Sequence, residues 1–430
     1  MPTEVEVVVI GAGHAGLAMS HCLTANGIDH VVLERGRTGE RWRTARWDSF
    51  RMLTPNWMSR LPGWSYAGGE PEGFMTADQF VAYLSGYAQA FHAPVREQTS
   101  VTSVTRSAGG YLVRTDRGCW RARQVVIATG YQALSRVPEV ASALSPSVAQ
   151  LTSAGYRNPG GLPAGRVLVV GASASGAQIA DELARAGREV VLAVGAHTRL
   201  PRRYRGRDIL WWLARTGSLR RTIDELPDPN LARSEPSLQL VGSAEGRSLD
   251  LSTLAALGVR FTGRLRQVDG TQVEFAGDLH RSTAEAESRL HRVLDRIDAL
   301  ASRLPNLAVG PPDRPAPIGP VTGPDRLDLR RSGITSVVWA TGLRPWYPWL
   351  RLPVLDEHGY LRHRRGVTEL PGLYAIGLRF QHRRDATFVD GARHDAAYLT
   401  DQILAHRHRC GFAATGAGPS RAVGVHDGAF

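Results

Sequence analysis

Two glycine-rich loops, each set between a short apolar run and a helix-like stretch, constrain this chain more than any other feature. The first is Gly11-Ala12-Gly13-His14-Ala15-Gly16, directly after Val5-Glu6-Val7-Val8-Val9-Ile10. The second is Gly171-Ala172-Ser173-Ala174-Ser175-Gly176, directly after Val167-Leu168-Val169-Val170. A further apolar run follows each. In such strand–loop–helix–strand units a glycine loop lets the backbone reach a pyrophosphate, and the helix N-terminus receives its charge. One loop implies one dinucleotide. Two imply a pair held together, as is needed to pass a hydride from a nicotinamide to a flavin.

In the first unit Gly11 permits the turn, Gly13 the approach to the pyrophosphate, and Gly16 the packing of helix on strand. Residues 17–26 read as a helix, Gly27 ends it, and residues 28–33 read as a second strand closed by Glu34 and Arg35. A carboxylate about 20 residues beyond the loop accepts hydrogen bonds from ribose hydroxyls. In the second unit Ser173 replaces the middle glycine, which predicts a less open backbone. No acid follows its second strand; Arg199, Arg202 and Arg203 do. Arginine there suits a 2′-phosphate and favours NADPH over NADH, although residue type alone does not separate a phosphate-binding arginine from a solvated one. A Gly-x-Ser-x-Gly nucleophile elbow is excluded, because Ser175 stands where that motif needs glycine.

A chain of 430 residues suffices for two or three domains. No run approaches the ~18 apolar residues of a membrane span, and Met1-Pro2-Thr3-Glu4 lacks the basic region of a signal peptide; the expected location is the cytoplasm. The net charge of +12 comes with no lysine, so all 52 basic residues are arginine. Their dispersal argues against a nucleic-acid partner. Lysine Schiff-base chemistry and the P-loop lysine are excluded outright. The three cysteines, Cys22, Cys119 and Cys410, form no Cys-x-x-Cys pair, which disfavours a dithiol relay, and ligands at zinc spacing are lacking. No metal is expected.

Residues 39–75, rich in Trp, Arg and Pro, read as a long functional loop region. Apolar strands end in Ala128-Thr129-Gly130 and again in Ala340-Thr341-Gly342. The repeat implies two chain crossings between halves. The expected fold is α/β, with two Rossmann-like dinucleotide-binding domains, the second inserted in the first. The first domain is placed at 1–157 and 325–430. The second is placed at 158–324, with a helical insertion at about 205–310 covering a substrate. Seven prolines in 305–324 mark a boundary. Trp211 and Trp212 read equally as pocket lining or as core.

These motifs, with Gly39-Glu40-Arg41-Trp42-Arg43, Arg46-Trp47-Asp48-Ser49, Leu53-Thr54-Pro55-Asn56-Trp57 and Pro201–Asp208, carry a resemblance over nearly the whole chain. It resembles the flavin-containing monooxygenases with two dinucleotide-binding domains, and looks closest to the bacterial flavoprotein branch often labelled as involved in potassium transport. The resemblance implies FAD on the first unit and NADPH on the second. It implies FAD contacts at Arg41, Trp42, Asp48 and Thr54, and a last helix, preceded by Thr387, pointing at the flavin pyrimidine ring. It also implies oxygenation of a small organic substrate by O2 through a C4a-peroxyflavin. A homodimer is compatible with it.

The chain departs from the family's Phe-x-Gly-x-x-x-His-x-x-x-Tyr/Trp fingerprint: that register reads Pro146, Val148, Thr152 and Tyr156. Candidate catalytic residues are Asn56, one residue out of register with the asparagine that steadies the peroxide in some members, Thr152 at the fingerprint histidine, and Gln381 ahead of the last helix. Two other readings stay open: a flavin oxidoreductase without oxygen insertion, and a redox-sensing nucleotide-binding regulator.

Overall fold

The computed structural model describes residues 1–410 apart from 305 and 320. Pro305 and Pro320 of the proline-rich run, and residues 411–430 of the segment placed at 325–430, lie outside the described residues. Two parallel sheets organise the chain. In the larger, nine-stranded sheet, Thr3–Ile10 pairs in parallel with His30–Leu33 on one side and Gly118–Ile127 on the other. Leu373–Ala375 continues in parallel beyond Gly118–Ile127. Val7, Val8 and Val9 are wholly buried. A parallel strand covered on both faces takes a continuous apolar run rather than an alternating one. One face carries the helices His14–Ala25 and Val389–Arg409, whose Leu17, Leu23, Ala396 and Leu399 share a core with Val7 and Val9. Antiparallel strands Val101–Ser107 and Gly110–Thr115 place Val104, Tyr111 and Val113 against the other.

The second sheet is five-stranded and parallel, in the order Ala149–Thr152, Ile334–Trp339, Arg166–Val170, Val190–Ala193, Arg260–Thr262. The chain leaves the first sheet after Ile127 and rejoins it at His363, so the second unit is inserted in the first, as expected. The expected boundaries need correction. Ala149–Thr152 and Ile334–Trp339, read with the first domain (1–157 and 325–430), belong to the second sheet. The strand before Thr341-Gly342 sits beside the second loop's strand just as the strand before Thr129-Gly130 sits beside the first's. The crossings themselves, Leu134–Ser135 and Leu343–Arg344, pair antiparallel with one another.

The segment 205–310 is likewise not a helical insertion throughout. Ile209–Arg215, Pro229–Ser234, Leu251–Ala256 and Leu279–Ser302 are helices. Arg260–Thr262, however, is the edge of the second sheet, and Leu265–Asp269 and Gln272–Phe275 form a hairpin extended by Arg326–Asp328. Helix Leu279–Ser302 buries Leu279, Ala286, Leu290, Leu294 and Ile297, an apolar stripe at helical spacing. Its second half packs with Leu210 and Trp212.

Candidate functional site

The two glycine loops have nearly the same geometry. Gly11 has φ +110°, and a Cβ there would lie 2.8 Å from the Ala128 carbonyl oxygen; Gly171 has φ +107°, and a Cβ would lie 2.5 Å from that of Ala340. A Cβ at Gly16 would fall 1.9 Å from the Gly11 oxygen and 3.2 Å from Ala128 Cβ. At Gly176 the distances are 1.8 Å to the Gly171 oxygen and 3.1 Å to Ala340 Cβ. Side chains are excluded at these glycines, and the contacts with Ala128 and Ala340 explain why both Thr-Gly pairs, Thr129-Gly130 and Thr341-Gly342, follow alanine. At Gly13 a Cβ would meet no protein atom within 4 Å. Ser173 holds the backbone of Gly13, φ −77° and ψ −172° against −81° and −178°, so the substitution changes the side chain and not the openness of the backbone. No side chain caps the helix behind either loop, leaving first-turn N–H groups for an anion.

Glu34 is buried against the first loop. Its Oε2 accepts from Ala12 N at 2.8 Å and its Oε1 from Gly36 N at 2.9 Å, and a carboxylate retains further lone pairs for ligand hydroxyls. Arg35 beside it is exposed. Ala15 is buried, and a Cβ at Gly377 would lie 3.0 Å from its own Cβ; the chain beyond Leu373–Ala375 therefore abuts the first helix. Trp42 meets Phe80 edge-on at 4.7 Å, and the Arg46 guanidinium lies 4.6 Å from the Trp42 ring centroid. Arg41 donates to Ala133 O, and Arg46 to Ala45 O and Gln132 Oε1. The Nε atoms of both are buried without partners among the described residues. Burial, reinforced by the Arg41 charge, pushes Arg46 down to about 10. Thr54 Oγ1, Thr129 Oγ1 and His14 Nε2 are also buried and unpartnered, and burial holds His14 neutral, down at about 4. A buried unsatisfied polar group costs about 1–3 kcal/mol, which a ligand hydrogen bond at these atoms would offset.

Three expected site residues are placed differently. Asp48 is exposed and accepts from Asn158 Nδ2 at 2.6 Å, tying its loop to the second unit rather than lining the first. Asn56 is buried with its amide committed: Oδ1 accepts from Met75 N and Nδ2 donates to Glu70 O, both at 2.9 Å. It holds the loop together. Thr152 ends a strand of the second sheet opposite Trp339, and its hydroxyl accepts from Gly155 N. Tyr156, the surviving fingerprint aromatic, is buried in the second unit's core. Gln381 is buried, with Oε1 accepting from Leu378 N and Nε2 unpartnered. Thr387 is half-buried ahead of Val389–Arg409, whose first turn no side chain caps.

The arginines beyond Val190–Ala193 also need correction. Arg199 is 2% exposed, and its Nε, Nη1 and Nη2 donate to Asp250, Glu287 and Ala316 O. Arg202 is fully buried, paired with Asp208 and bonded to Leu53 O. All three nitrogens of each guanidinium are bonded within the protein and both side chains are buried, so they hold the protein's own acceptors rather than present themselves to a 2′-phosphate. Arg203 is exposed, and among the described residues its side chain bonds only to Gly206 O. Arg264, which the sequence reading did not single out, lies near the end of the strand Val190–Ala193: a Cβ at Gly195 would lie 3.7 Å from its Nε, its side chain is 60% exposed, and its ion contact with Asp278 is a long 3.7 Å. Trp212 is core, wholly buried with Nε1 donating to Tyr204 O at 2.7 Å.

Comparison with known proteins follows this geometry. The pyridine nucleotide-disulphide oxidoreductase family matches residues 8–210. An uncharacterized CzcO-like oxidoreductase of Geobacillus kaustophilus is 32% identical over 405 residues, covering 94% of this chain and 99% of that protein. The indole-3-pyruvate monooxygenase YUCCA1 of Oryza sativa subsp. japonica is 32% identical over 191 residues, 44% of this chain and 47% of that one. A flavin-containing monooxygenase from Stenotrophomonas maltophilia superposes with a TM-score of 0.64 at 20% identity, over 94% of this chain and 99% of that chain.

Proposed function

Because the chain belongs to the CzcO-like, flavin-monooxygenase-like oxidoreductases, we propose that it is an NADPH- and FAD-dependent monooxygenase of a small organic substrate. The observation that carries this reading is the duplicated loop: two open phosphate cradles, each with a positive-φ glycine against an Ala-Thr-Gly turn and an uncapped helix behind it. We place FAD on the N-terminal unit and NADPH on the inserted one, with domain boundaries at the paired crossings Leu134–Ser135 and Leu343–Arg344. When bound, NADPH supplies the hydride and reduced FAD the oxygen-activating chemistry.

The chain's own groups bind, orient and enclose. Gly11, Gly13, Ala15 and Gly16 bring backbone to the FAD pyrophosphate, and Glu34 accepts from the ribose. Arg41, Arg46, Thr54 and Thr129 supply unpartnered donors around the flavin, with Trp42 beneath Arg46. The uncapped first turn of Val389–Arg409 stabilises negative charge on the flavin pyrimidine ring. Gly171, Ser173, Ser175 and Gly176 cradle the second pyrophosphate, with Arg203 and Arg264 as the exposed cations available to a 2′-phosphate. Residues 222–223 bond to residues 382–383 and cover the loop beside the flavin, excluding water.

Purified protein is expected to carry FAD and to be bleached anaerobically by NADPH faster than by NADH. Flavin that stays oxidised under NADPH overturns the reading. One observation favours a second reading, an NADPH-dependent flavin oxidoreductase without oxygen insertion: the amide of Asn56 is fully committed within the protein.

A further inference from the structure

Away from the glycine loops, a cavity of about 410 Å³ lies between segment 223–233 and the hairpin that starts at His363–Arg364, and Gln381 lines it from the loop ahead of the last helix. Its walls are joined by backbone: Ile223 N donates to His382 O at 2.7 Å and Arg384 N to Arg221 O at 3.0 Å. The volume falls within the ~300–1,000 Å³ of small-molecule sites.

The lining is cationic. Arg233, Arg364 and Arg365 all face it, and among the described residues none of the three has an ion-pair partner. Arg233 is half-buried, and burial alone pulls its guanidinium down. Arg365 adopts φ +53°, stacks 4.1 Å from the Tyr398 ring centroid and buries an unpartnered Nε. The lining's one acid, Asp224, is exposed. His363, held down at about 4 by burial and by Arg233, adds no charge at neutral pH. Gln381 is fully buried, and among the described residues its Nε2 has no acceptor. Three cations and a neutral donor, against one solvated acid, ask for an acceptor carrying negative charge. Ile223, Leu226 and Pro229 on the same walls offer an apolar surface to an organic body.

We propose that this cavity binds the substrate as a small organic carboxylate, its charge held by Arg233, Arg364 and Arg365 with Gln381 Nε2 as the neutral donor. This rests on the monooxygenase reading, which sets the loop carrying Gln381 beside the flavin. The binding itself is measurable without turnover. The FAD-loaded protein is titrated calorimetrically with a panel of straight-chain and aryl carboxylates, their methyl esters, and inorganic phosphate. At least one acid should bind, with its ester tenfold weaker or worse. Arg233→Met and Arg364→Met should each weaken the acid about tenfold or more, the scale of one charge-assisted hydrogen bond, while FAD content and the rate of flavin reduction by NADPH stay unchanged. Arg364 is exposed, so its variant keeps the test open should Arg233→Met fail to fold. The proposal is overturned if no acid binds, if acid and ester bind alike, or if both variants bind as the parent does. Phosphate binding more tightly than every acid would replace the carboxylate with a phosphoryl group. Failure of NADPH to reduce the flavin sinks the monooxygenase reading and leaves the calorimetric result standing separately.

Discussion

Gly13 and Gly16 have different tasks within one loop. A methyl group at Gly16 collides with the Gly11 carbonyl, whereas one at Gly13 meets no protein atom within 4 Å. Gly13→Ala should therefore fold with unchanged thermal stability in the flavin-free form and lose most of its FAD, because the new methyl occupies space the pyrophosphate needs. Full FAD occupancy in that variant, read from the absorbance ratio of flavin to protein, places the pyrophosphate elsewhere. Arg199 shows where residue type misleads. The sequence displays three arginines after a strand but not the acids, Asp250 and Glu287, that arrive from far along the chain to bury one of them. Breaking such a buried network costs about 3–5 kcal/mol. Arg199→Ala should lower the urea midpoint by a corresponding amount and leave the NADPH-to-NADH preference of the surviving folded fraction unchanged. Asp395 on the last helix is pushed up to about 7 by burial and then by Asp385, against the pull of Arg383 and Arg365. A carboxyl whose folded pKa is raised supports the fold fully below its unfolded pKa and loses that support as pH rises through about 7. Asp395→Asn should thus stabilise the protein at pH 8–9, by up to about 4 kcal/mol, with the gain shrinking towards pH 4. Thermal midpoints that differ by the same amount at pH 5 and pH 9 contradict this.

Both strand–loop–helix–strand units could be read directly, because local chemistry alone builds them: continuous apolar strands, glycines where no Cβ fits, and an acid or its absence at a fixed distance. The Ala-Thr-Gly turns carried more than they first showed. Ala128 and Ala340 are small because Gly16 and Gly176 press on them, and that contact assigns each turn to its own loop. Short strands outside these units could not be placed this way. Arg260–Thr262 and Ala149–Thr152 are too short for a period to declare itself, and their burial is decided by partners elsewhere in the chain. Arg264 was missed for the same reason, since its position follows from the pairing of Arg260–Thr262 with Val190–Ala193. The matched loops also permit a clean separation of the two cofactors. Gly176→Ala forces a methyl to within 1.8 Å of the Gly171 oxygen, displacing the second helix and its free N–H groups. The expected result is a protein that retains FAD but is bleached by NADPH at least tenfold more slowly, and by dithionite at the parent rate. Equal losses of FAD and of NADPH-driven reduction would show that the two loops are not separate sites.

The links between the two units include the antiparallel pair Leu134–Ser135 with Leu343–Arg344, the Asp48–Asn158, Ser49–Glu182 and Arg202–Leu53 bonds, and the segment 222–223 laid along residues 382–383. Hydride transfer needs both cofactors to approach across this junction, and oxygenation needs water kept out once they have. The enclosing segment supports a monooxygenase. The committed amide of Asn56, and Thr152 in a strand of the second sheet, take away two groups expected to steady the oxidising species. The balance predicts an enzyme that oxygenates only when substrate completes the enclosure and otherwise releases hydrogen peroxide. Under ¹⁸O₂ with NADPH and a carboxylate that binds the cavity, label should enter the product. Peroxide per NADPH consumed should fall as that carboxylate is raised to saturation. If peroxide stays stoichiometric with NADPH at saturation and no label is incorporated, the oxidoreductase reading replaces the monooxygenase. Thr152→His separates the two remaining explanations of a leaky enzyme. If the imidazole reaches the reaction centre, peroxide release in the absence of substrate should drop. An unchanged leak means that the strand ending at Thr152 serves the second sheet alone, and that tightness depends on the segment covering residues 382–383.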